Sequence, residues 1–241
     1  MKGIILAGGS GTRLRPLTKV TSKQLLPVYD QPMIYYPLQT LLSAGIKDIL
    51  IIVAPDHAGD FLKLLGSGKE FGCKFTYEIQ DKPEGIAQAF IVGKNFIGND
   101  SVTLILGDNI YEDNFSEAIS SFKSGGRIFI KDVKDPQRFG VVEFDKNNKA
   151  VSIEEKPKVP KSAFAVTGMY IFDNTVVKKV ERLRPSGRGE LEITDLNNLY
   201  LKDKTLDVAF VSGLWFDTGT FESLHDAIVF VRNRKLIEKS K

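Results

Sequence analysis

The first half of the chain alternates between short apolar runs and stretches whose apolar residues have helical spacing. Strands are predicted at 3–5, 49–53, 74–78 and 103–106, and helices at 32–44, at 61–65 and from about 86. The run at 49–53 is entirely apolar and mostly β-branched, as expected of a strand buried on both faces of a parallel sheet. The alternation of strands and helices along the chain predicts βαβ units with right-handed crossovers. The fold class is therefore predicted to be α/β, with a mostly parallel central sheet.

After position 122 the pattern changes to short strands separated by turn signals. Strands are predicted at 127–133, 140–144, 150–154 and 166–170, with a turn at Lys-Asn-Asn-Lys, 146–149. These strands predict a smaller antiparallel part beside the parallel sheet. Helices are predicted at 175–182, at 192–202 and from 221, and the whole chain is expected to form one domain.

Composition narrows the class of partner. The chain has 33 basic and 30 acidic residues in 241, a balance too even to indicate a nucleic acid or a membrane surface as partner. Cys73 is the only cysteine, so one chain contains no disulfide framework and no multi-cysteine metal site. Met1-Lys2-Gly3 runs directly into a strand, which leaves no room for a signal peptide. We therefore expect a cytoplasmic protein.

The loop after the first strand has the composition of a phosphate-binding loop. It reads Leu-Ala-Gly-Gly-Ser-Gly-Thr-Arg-Leu-Arg, with glycines at Gly8, Gly9 and Gly11. Glycines let backbone N–H groups turn toward an anion, while Thr12 and Arg13 add a hydroxyl and a guanidinium. The loop lacks the Lys-Ser/Thr of the P-loop and the last glycine of the dinucleotide fingerprint. A Gly-rich tight turn without ligand is the plain structural alternative.

Further polar residues follow strands or lie in ordered loops. Lys23 stands in a loop shortly after the glycines, Gln80 follows the strand at 74–78, and Asp108 follows the strand at 103–106. Ligands of parallel sheets bind at the carboxyl ends of the strands, so we expect these side chains at one edge. Asp108 and Asp217 would share a Mg²⁺ ion between protein and polyphosphate. A solvated lysine and a turn-capping aspartate are the structural alternatives.

Several segments together resemble the sugar nucleotidyltransferases, in the same order along the chain. These segments are 8–14, 22–27, 29–37, 85–90, 106–109, 154–157, 166–168, 188–195 and 215–219. The resemblance implies a single-domain Rossmann-like nucleotidyltransferase fold over 1–241, with a nucleotide-binding half at about 1–125 and a sugar-binding half at about 126–241. It is greatest to the thymidylyl-transferring members. That implies dTTP and glucose 1-phosphate as substrates, Mg²⁺ as cofactor and a homo-oligomer.

The resemblance also implies roles for individual positions. The nucleotide would be held by triphosphate-binding residues, a base-reading pair and two further polar residues, which are Gly8, Gly11, Thr12, Arg13, Gln80, Gly85, Gln24 and Asn109. The reaction would depend on cations beside the phosphates and on metal-binding aspartates, which are Arg13, Lys23, Lys156, Asp108 and Asp217. The sugar pocket would be lined by Gly140, Glu155 and Val166.

Two positions depart from the resemblance. Phe139 stands where close relatives tend to have Tyr, so a hydroxyl contact to the sugar is not expected here. Longer relatives continue beyond the position of Lys235 with further helices that contribute to a second, regulatory site. Feedback control through such a site is therefore expected to be absent or weakened.

Three other functions use related parts. A uridylyltransferase would have the same fold and phosphate chemistry with a different base pocket. A non-catalytic nucleotide-sugar sensor would need the glycine loop but not both Asp108 and Asp217. A metal-dependent glycosyltransferase would have little use for the Lys23-Gln24 segment.

Overall fold

The secondary structure comes from a computed structural model that describes residues 1–147 and 149–239. Asn148, in the turn predicted at 146–149, lies outside the described residues. The strands are β1 (Lys2–Ala7), β2 (Pro27–Val28), β3 (Gln31–Pro32), β4 (Asp48–Val53), β5 (Lys74–Ile79), β6 (Val102–Leu106), β7 (Asn109–Tyr111), β8 (Gly126–Asp132), β9 (Gly140–Phe144), β10 (Ala150–Glu155), β11 (Phe164–Phe172), β12 (Leu206–Phe210) and β13 (Trp215–Asp217). The helices are α1 (Tyr35–Ser43), α2 (Ala58–Leu65), α3 (Gln88–Val92), α4 (Lys94–Ile97), α5 (Ser116–Ser120), α6 (Val176–Val180), α7 (Ile193–Lys202) and α8 (Phe221–Lys239).

One large sheet runs through the molecule in the order β12-β8-β11-β6-β1-β4-β5. In this row only β11 runs opposite to the others, so the sheet is mixed but mostly parallel. The register of β11 with β8 shifts between Val166 and Tyr170, and before this shift β11 also pairs with β9 of the β9–β10 hairpin. The hairpin therefore branches from the sheet where β6 has ended, and a cleft opens beside it.

Hydrophobic layers cover both faces of the sheet. Alternate residues of the central strands point to opposite sides, so that Ile4 and Leu50 pack toward α3, α6 and α7, while Ile5 and Ile51 pack toward α1, α2 and α5. Each of these four side chains is fully buried, which stabilises the fold by about 1.5–3 kcal/mol per residue. These layers are those of a doubly wound α/β fold.

A third apolar cluster fixes the loops at one end of the sheet. Leu14 from the glycine-loop segment packs with Met33 and with Leu224 and Val231 of α8. Leu14 and Met33 are fully buried. The last helix therefore acts as a support for the loop that follows the first strand.

The predicted strands are confirmed to within two residues at their ends. The helix predicted at 32–44 begins later, at Tyr35, because Pro32 pairs with Pro27 in the short β2–β3 ladder. The antiparallel part predicted after position 122 comprises β8, β9, β10 and β11. β8 also pairs with β12, a strand that the pattern did not predict, and this pair is parallel. Among the described residues, no helix combines the length and the apolar character needed to cross a bilayer.

Two glycines give a matched test of the join between β8 and β12. Gly125 and Gly45 have nearly the same left-handed φ, 84° and 82°, but a Cβ on Gly125 would lie 2.2 Å from the Thr205 carbonyl oxygen, whereas a Cβ on Gly45 would meet nothing within 4 Å. We expect Gly45→Ala to lower the free energy of unfolding by about 1–2 kcal/mol, the cost of the left-handed conformation alone. Gly125→Ala should cost about 1–3 kcal/mol more, since it adds a steric clash. Urea denaturation measures both, and equal losses would contradict the packing described for Gly125.

Candidate active site

The glycine loop is held in one conformation that presents Thr12 and Arg13. Gly11 has a left-handed φ of 59°, and its carbonyl accepts a 2.7 Å hydrogen bond from the Thr18 hydroxyl. The turn Thr12–Leu14 follows, with Leu14 buried while Thr12 and Arg13 are exposed. The guanidinium of Arg13 lies against Gly219, where a Cβ would come within 2.8 Å of Arg13 Nη2. The loop therefore turns the Arg13 side chain toward the strand end that carries Asp217.

Lys23 and Asp108 form an ion pair in the interior of the site. Their side chains are 10% and 13% exposed, and Lys23 Nζ contacts Asp108 Oδ2. Burial disfavours the charged form of Asp108, but the charge and hydrogen bond of Lys23 together with the hydrogen bond from Asn109 outweigh burial, so the pKa of this carboxyl is lowered. Asp108 is therefore a carboxylate at neutral pH. Gln24, next in the same turn, is buried, accepts 2.7 Å from the Ser22 hydroxyl and packs on Gly107.

Asp217 reaches this pair through a short strand. β13 pairs antiparallel with β7, which places Asp217 opposite Asn109. The next residue, Thr218, donates from its N–H (3.1 Å) and its hydroxyl (2.7 Å) to the Asp108 carbonyl. Burial and then the negative charge of Asp108 raise the pKa of Asp217, while the positive charges of Lys23, Arg13 and Arg138 oppose the shift. Part of the rise in the pKa of Asp217 therefore comes from repulsion between the two carboxylates.

Two neighbouring carboxylates of this kind fit a divalent cation. A cation between Asp108 and Asp217 would remove their repulsion, and Mg²⁺ is commonly held by one or two carboxylates plus substrate phosphates and waters. Across residues 1–147 and 149–239, no cluster of three or more His, Cys, Asp or Glu side chains could hold a metal alone. The donor set therefore suits a metal that arrives with a phosphate ligand.

Asn109 orients Asp108 and connects it to the wall of the cleft. Its Nδ2 donates to Asp108 Oδ1 at 3.0 Å. Its Oδ1 accepts from Trp215 Nε1 at 2.6 Å and from the backbone N–H of Gly168 at 3.1 Å. Asn109 is 1% exposed. Its amide therefore holds protein groups in place, and the expected contact with substrate stays a prediction.

A cleft of about 520 Å³ extends from the two aspartates to the β9–β10 hairpin. Gly140, Glu155 and Val166, the three residues expected to line a sugar pocket, all line this cleft, and their contact with a sugar stays a prediction. Glu155 Oε2 accepts from the Thr194 hydroxyl, and a Cβ on Gly140 would come within 2.9 Å of that hydroxyl oxygen. Glu155 Oε1 accepts from Arg188 Nη2 at 3.2 Å. The carboxylate is thus fixed where it faces a ligand in the cleft.

Lys156 lies at the rim of the same cleft. Its N–H donates to the Phe139 carbonyl at 2.9 Å, and its φ of 44° is unusual for a residue with a side chain. The side chain is 47% exposed, and its Nζ is 3.4 Å from Glu155 Oε1. The backbone geometry therefore directs a half-exposed cation toward the cleft.

Gln80 is held beside the glycine loop. It is buried, and a Cβ on Gly8 would come within 2.3 Å of its Oε1. Its Nε2 donates to Gln88 Oε1, and Gln88 in turn donates to Glu84 Oε2 at 2.8 Å. This chain of bonds fixes which end of the Gln80 amide faces Gly8.

The structure gives Gly85 a packing role in addition to its predicted base contact. A Cβ on Gly85 would lie 2.3 Å from the carbonyl oxygen of Leu191. Leu191 N–H donates to the Glu84 carbonyl at 2.7 Å, and its own carbonyl accepts from Ala87 N–H at 3.2 Å. The segment that carries Arg188 therefore depends on a glycine at 85.

Sequence reasoning missed Arg138 and Thr194, which line the cleft, and Gln88, which holds the Gln80 amide. Arg138 stands in the turn Pro136–Arg138, between two strands. A basic residue in such a turn is usually interpreted as a solvated surface residue. The position of Arg138, two residues before Gly140, is the one signal that could have identified it.

Comparisons with known proteins agree with this geometry. The family model described as nucleotidyl transferase matches residues 2–234. The glucose-1-phosphate thymidylyltransferase of Neisseria meningitidis is 55% identical over 244 residues, which covers 99% of this chain and 85% of the relative. A Bacillus anthracis protein crystallised with sucrose has 50% identity and a TM-score of 0.92 over 96% of this chain and 95% of its own.

A more distant structure, UDP-glucose pyrophosphorylase complexed with UDP-glucose, has a TM-score of 0.84 at 23% identity, over 97% of this chain and 98% of its own. At that identity the likeness concerns the fold alone. The glycine loop, the carboxylate pair and the cleft thus occur in a chain that a single family model matches almost from end to end, and the chain belongs to the nucleotidyl transferase family.

Proposed function

We propose that this chain transfers a thymidylyl group from dTTP to glucose 1-phosphate in a Mg²⁺-dependent reaction. The products are dTDP-glucose and pyrophosphate, and the reaction is the first step of dTDP-sugar biosynthesis. The observation that carries the proposal is the Lys23–Asp108 pair beside Asp217, at the point where the glycine loop meets the 520 Å³ cleft. The choice of substrates rests on the 55% identity to the Neisseria meningitidis enzyme of that name.

The nucleotide would lie along the glycine loop. Gly8, Gly11 and Thr12 offer backbone and hydroxyl donors to the triphosphate, and Arg13 adds a guanidinium. Lys23 now contacts Asp108. Asp108 and Asp217 would hold Mg²⁺, which would supply the compensating positive charge, and Lys23 would then be available to a phosphate oxygen.

An oxygen of the sugar phosphate attacks the α-phosphorus of dTTP. A P–O bond forms to that oxygen, the P–O bond to the β-phosphate breaks, and pyrophosphate leaves with the electron pair. When bound, Mg²⁺ supplies positive charge to the phosphate oxygens. The protein supplies alignment and charge, since Glu155 fixes the sugar while Lys156 and Arg13 reduce the repulsion between the two anions.

Gln80 and Gly85 would recognise the base. The Gln80 amide is held by Gln88, so its orientation is set before the nucleotide arrives. A carboxamide of fixed orientation matches the donor and acceptor edge of thymine and rejects the edge of cytosine, which has its donor and acceptor exchanged. Homo-oligomer formation and a cytoplasmic location stay predictions.

Asp108→Asn and Asp217→Asn should both reduce kcat by at least about 10²–10³, because each removes a charge from the metal site. Their stabilities should move in opposite directions. Asp108→Asn leaves the buried Lys23 ammonium unpaired and lowers the melting temperature, whereas Asp217→Asn removes a repelled carboxylate and leaves it unchanged or raised. Pyrophosphate release and thermal melts measure the two effects.

Asp203→Asn is the control for this pair of variants, since Asp203 forms an exposed ion pair with Lys179 away from the cleft. It should retain wild-type turnover. Near wild-type activity of Asp108→Asn or Asp217→Asn at saturating Mg²⁺ would show that the residue concerned is not a metal ligand.

A panel of nucleotides with glucose 1-phosphate tests the base pocket. dUTP lacks only the 5-methyl group of dTTP and should react with a kcat/KM about 10- to 200-fold below that of dTTP, while dCTP should be poorer. UTP lacks the same methyl group and also carries a 2′-hydroxyl, so it should be no better than dUTP. Gln80→Ala should reduce the preference for dTTP over dCTP, measured as the ratio of their kcat/KM values. The corresponding ratio for dTTP and UTP should stay unchanged, because thymine and uracil share one hydrogen-bonding edge. Gln39→Ala, at an exposed position of α1, is the control. A higher kcat/KM for UTP than for dTTP would contradict the assignment of thymine.

A further inference from the structure

Arg138 lies where the carboxylate pair and the sugar pocket meet. It ends the turn Pro136–Arg138, two residues before Gly140, and it lines the same cleft as Asp108 and Glu155. Its Nη2 is 3.6 Å from Asp217 Oδ2. No role for this residue follows from the glycine loop or from the resembling segments.

The guanidinium of Arg138 contacts three groups of the protein, which are Asp217, Asp135 and the Phe139 ring. Nη1 donates to Asp135 Oδ2 at 2.6 Å, and the group lies over the ring of Phe139, 5.2 Å from its centroid. Phe139 packs in turn against Trp215, with ring centroids 5.2 Å apart. Within the described chain the bond to Asp135 is the only hydrogen bond that the Arg138 side chain donates. The group is 36% exposed, so its remaining donors can reach a ligand in the cleft.

The charges of the cleft indicate what that ligand would be. Arg13 and Lys23 lie on the side of the glycine loop, and Arg138 lies on the side of the sugar pocket. A sugar 1-phosphate must place its dianionic phosphate between the sugar pocket and the two aspartates, where it meets like charge. A guanidinium that pairs with Asp217 and borders Gly140 stands at that point, and its planar donors match phosphate oxygens.

We propose that Arg138 shields Asp217 in the free enzyme and binds the phosphate of glucose 1-phosphate during turnover. This inference rests on the proposed function for the identity of the phosphate ester. Once Asp217 is a ligand to Mg²⁺, it needs the charge of Arg138 less, and the guanidinium moves to the incoming phosphate. Asp135 and the Phe139 ring keep it at the cleft in both positions.

Steady-state kinetics of Arg138→Gln test the phosphate contact. The KM for glucose 1-phosphate should rise about tenfold or more, the loss expected for one charge-assisted contact, and the KM for dTTP should stay within about twofold. Arg138→Lys, which keeps the charge, should recover most of the loss. Arg127→Gln is the matched control, because Arg127 also pairs with an aspartate, Asp207, and lies over a phenyl ring, at the outer part of the sheet.

Binding of Mn²⁺ to the nucleotide-free protein, followed by electron paramagnetic resonance, tests the shielding of Asp217. Removal of a positive charge next to a ligand carboxylate should tighten Mn²⁺ binding by about threefold to tenfold in Arg138→Gln and leave Arg127→Gln unchanged. A purely structural role would leave the affinity unchanged or weaken it. Circular dichroism establishes that each variant is folded, and if Arg138→Gln is not, Arg138→Ala and Arg138→Lys provide the same comparison.

An unchanged KM for glucose 1-phosphate, a rise confined to dTTP, or unchanged Mn²⁺ affinity would each overturn the inference. Failure of the wild-type protein to form dTDP-glucose would contradict the proposed function instead. The Mn²⁺ measurement still decides the shielding of Asp217 in that case, because it needs neither substrate.

Discussion

The repulsion between two carboxylates held side by side is the constraint on which this site depends. Asp108 keeps its charge because Lys23 lies against it, and the charge of Asp108 then makes ionisation of Asp217 harder. The pairing with Lys23 therefore stabilises the ionised form of Asp108, whereas ionisation of Asp217 beside it is disfavoured. A divalent cation with a phosphate ligand removes that imbalance, which is why two aspartates without a third protein ligand suit substrate-dependent metal binding.

The fold meets this constraint by bringing three separate chain segments to one sheet edge. Asp108 follows β6, Asp217 ends β13, and Lys23 stands in a turn whose neighbour Leu26 belongs to the apolar cluster under α8. Neither charged strand end is stabilised by local structure alone. The hydrogen bonds of Thr218 to the Asp108 carbonyl and the amide of Asn109 fix the two ends relative to each other. Buried charges are tolerated here because each polar partner is itself anchored in the core.

Much of this arrangement could be predicted from the sequence, because it depends on local patterns. The strands of the parallel sheet are apolar runs, and the rule that ligands bind at carboxyl strand ends brings Gln80 and Asp108 together with the glycine loop. The β7–β13 pair could not be predicted, since two three-residue strands more than 100 positions apart carry no periodicity. The positioning role of Asn109 and the contact of Arg138 with Asp217 depend on the β7–β13 pair, so the sequence could not predict them either.

The two sides of the cleft differ in how their cations are held, and this difference has a physical reason. Lys23 is buried and paired, so its charge requires a partner at all times, and Asp108 provides one until a phosphate can take its place. Lys156 and Arg138 are 47% and 36% exposed, so water solvates them while the cleft is open. A cation that water can solvate in the open cleft loses little electrostatic stabilisation when its anionic ligand leaves. In the proposed reaction, the exposed cations would serve the side where the sugar phosphate enters and the nucleotide sugar departs in every turnover, while the buried Lys23–Asp108 pair would serve the side where the triphosphate is aligned.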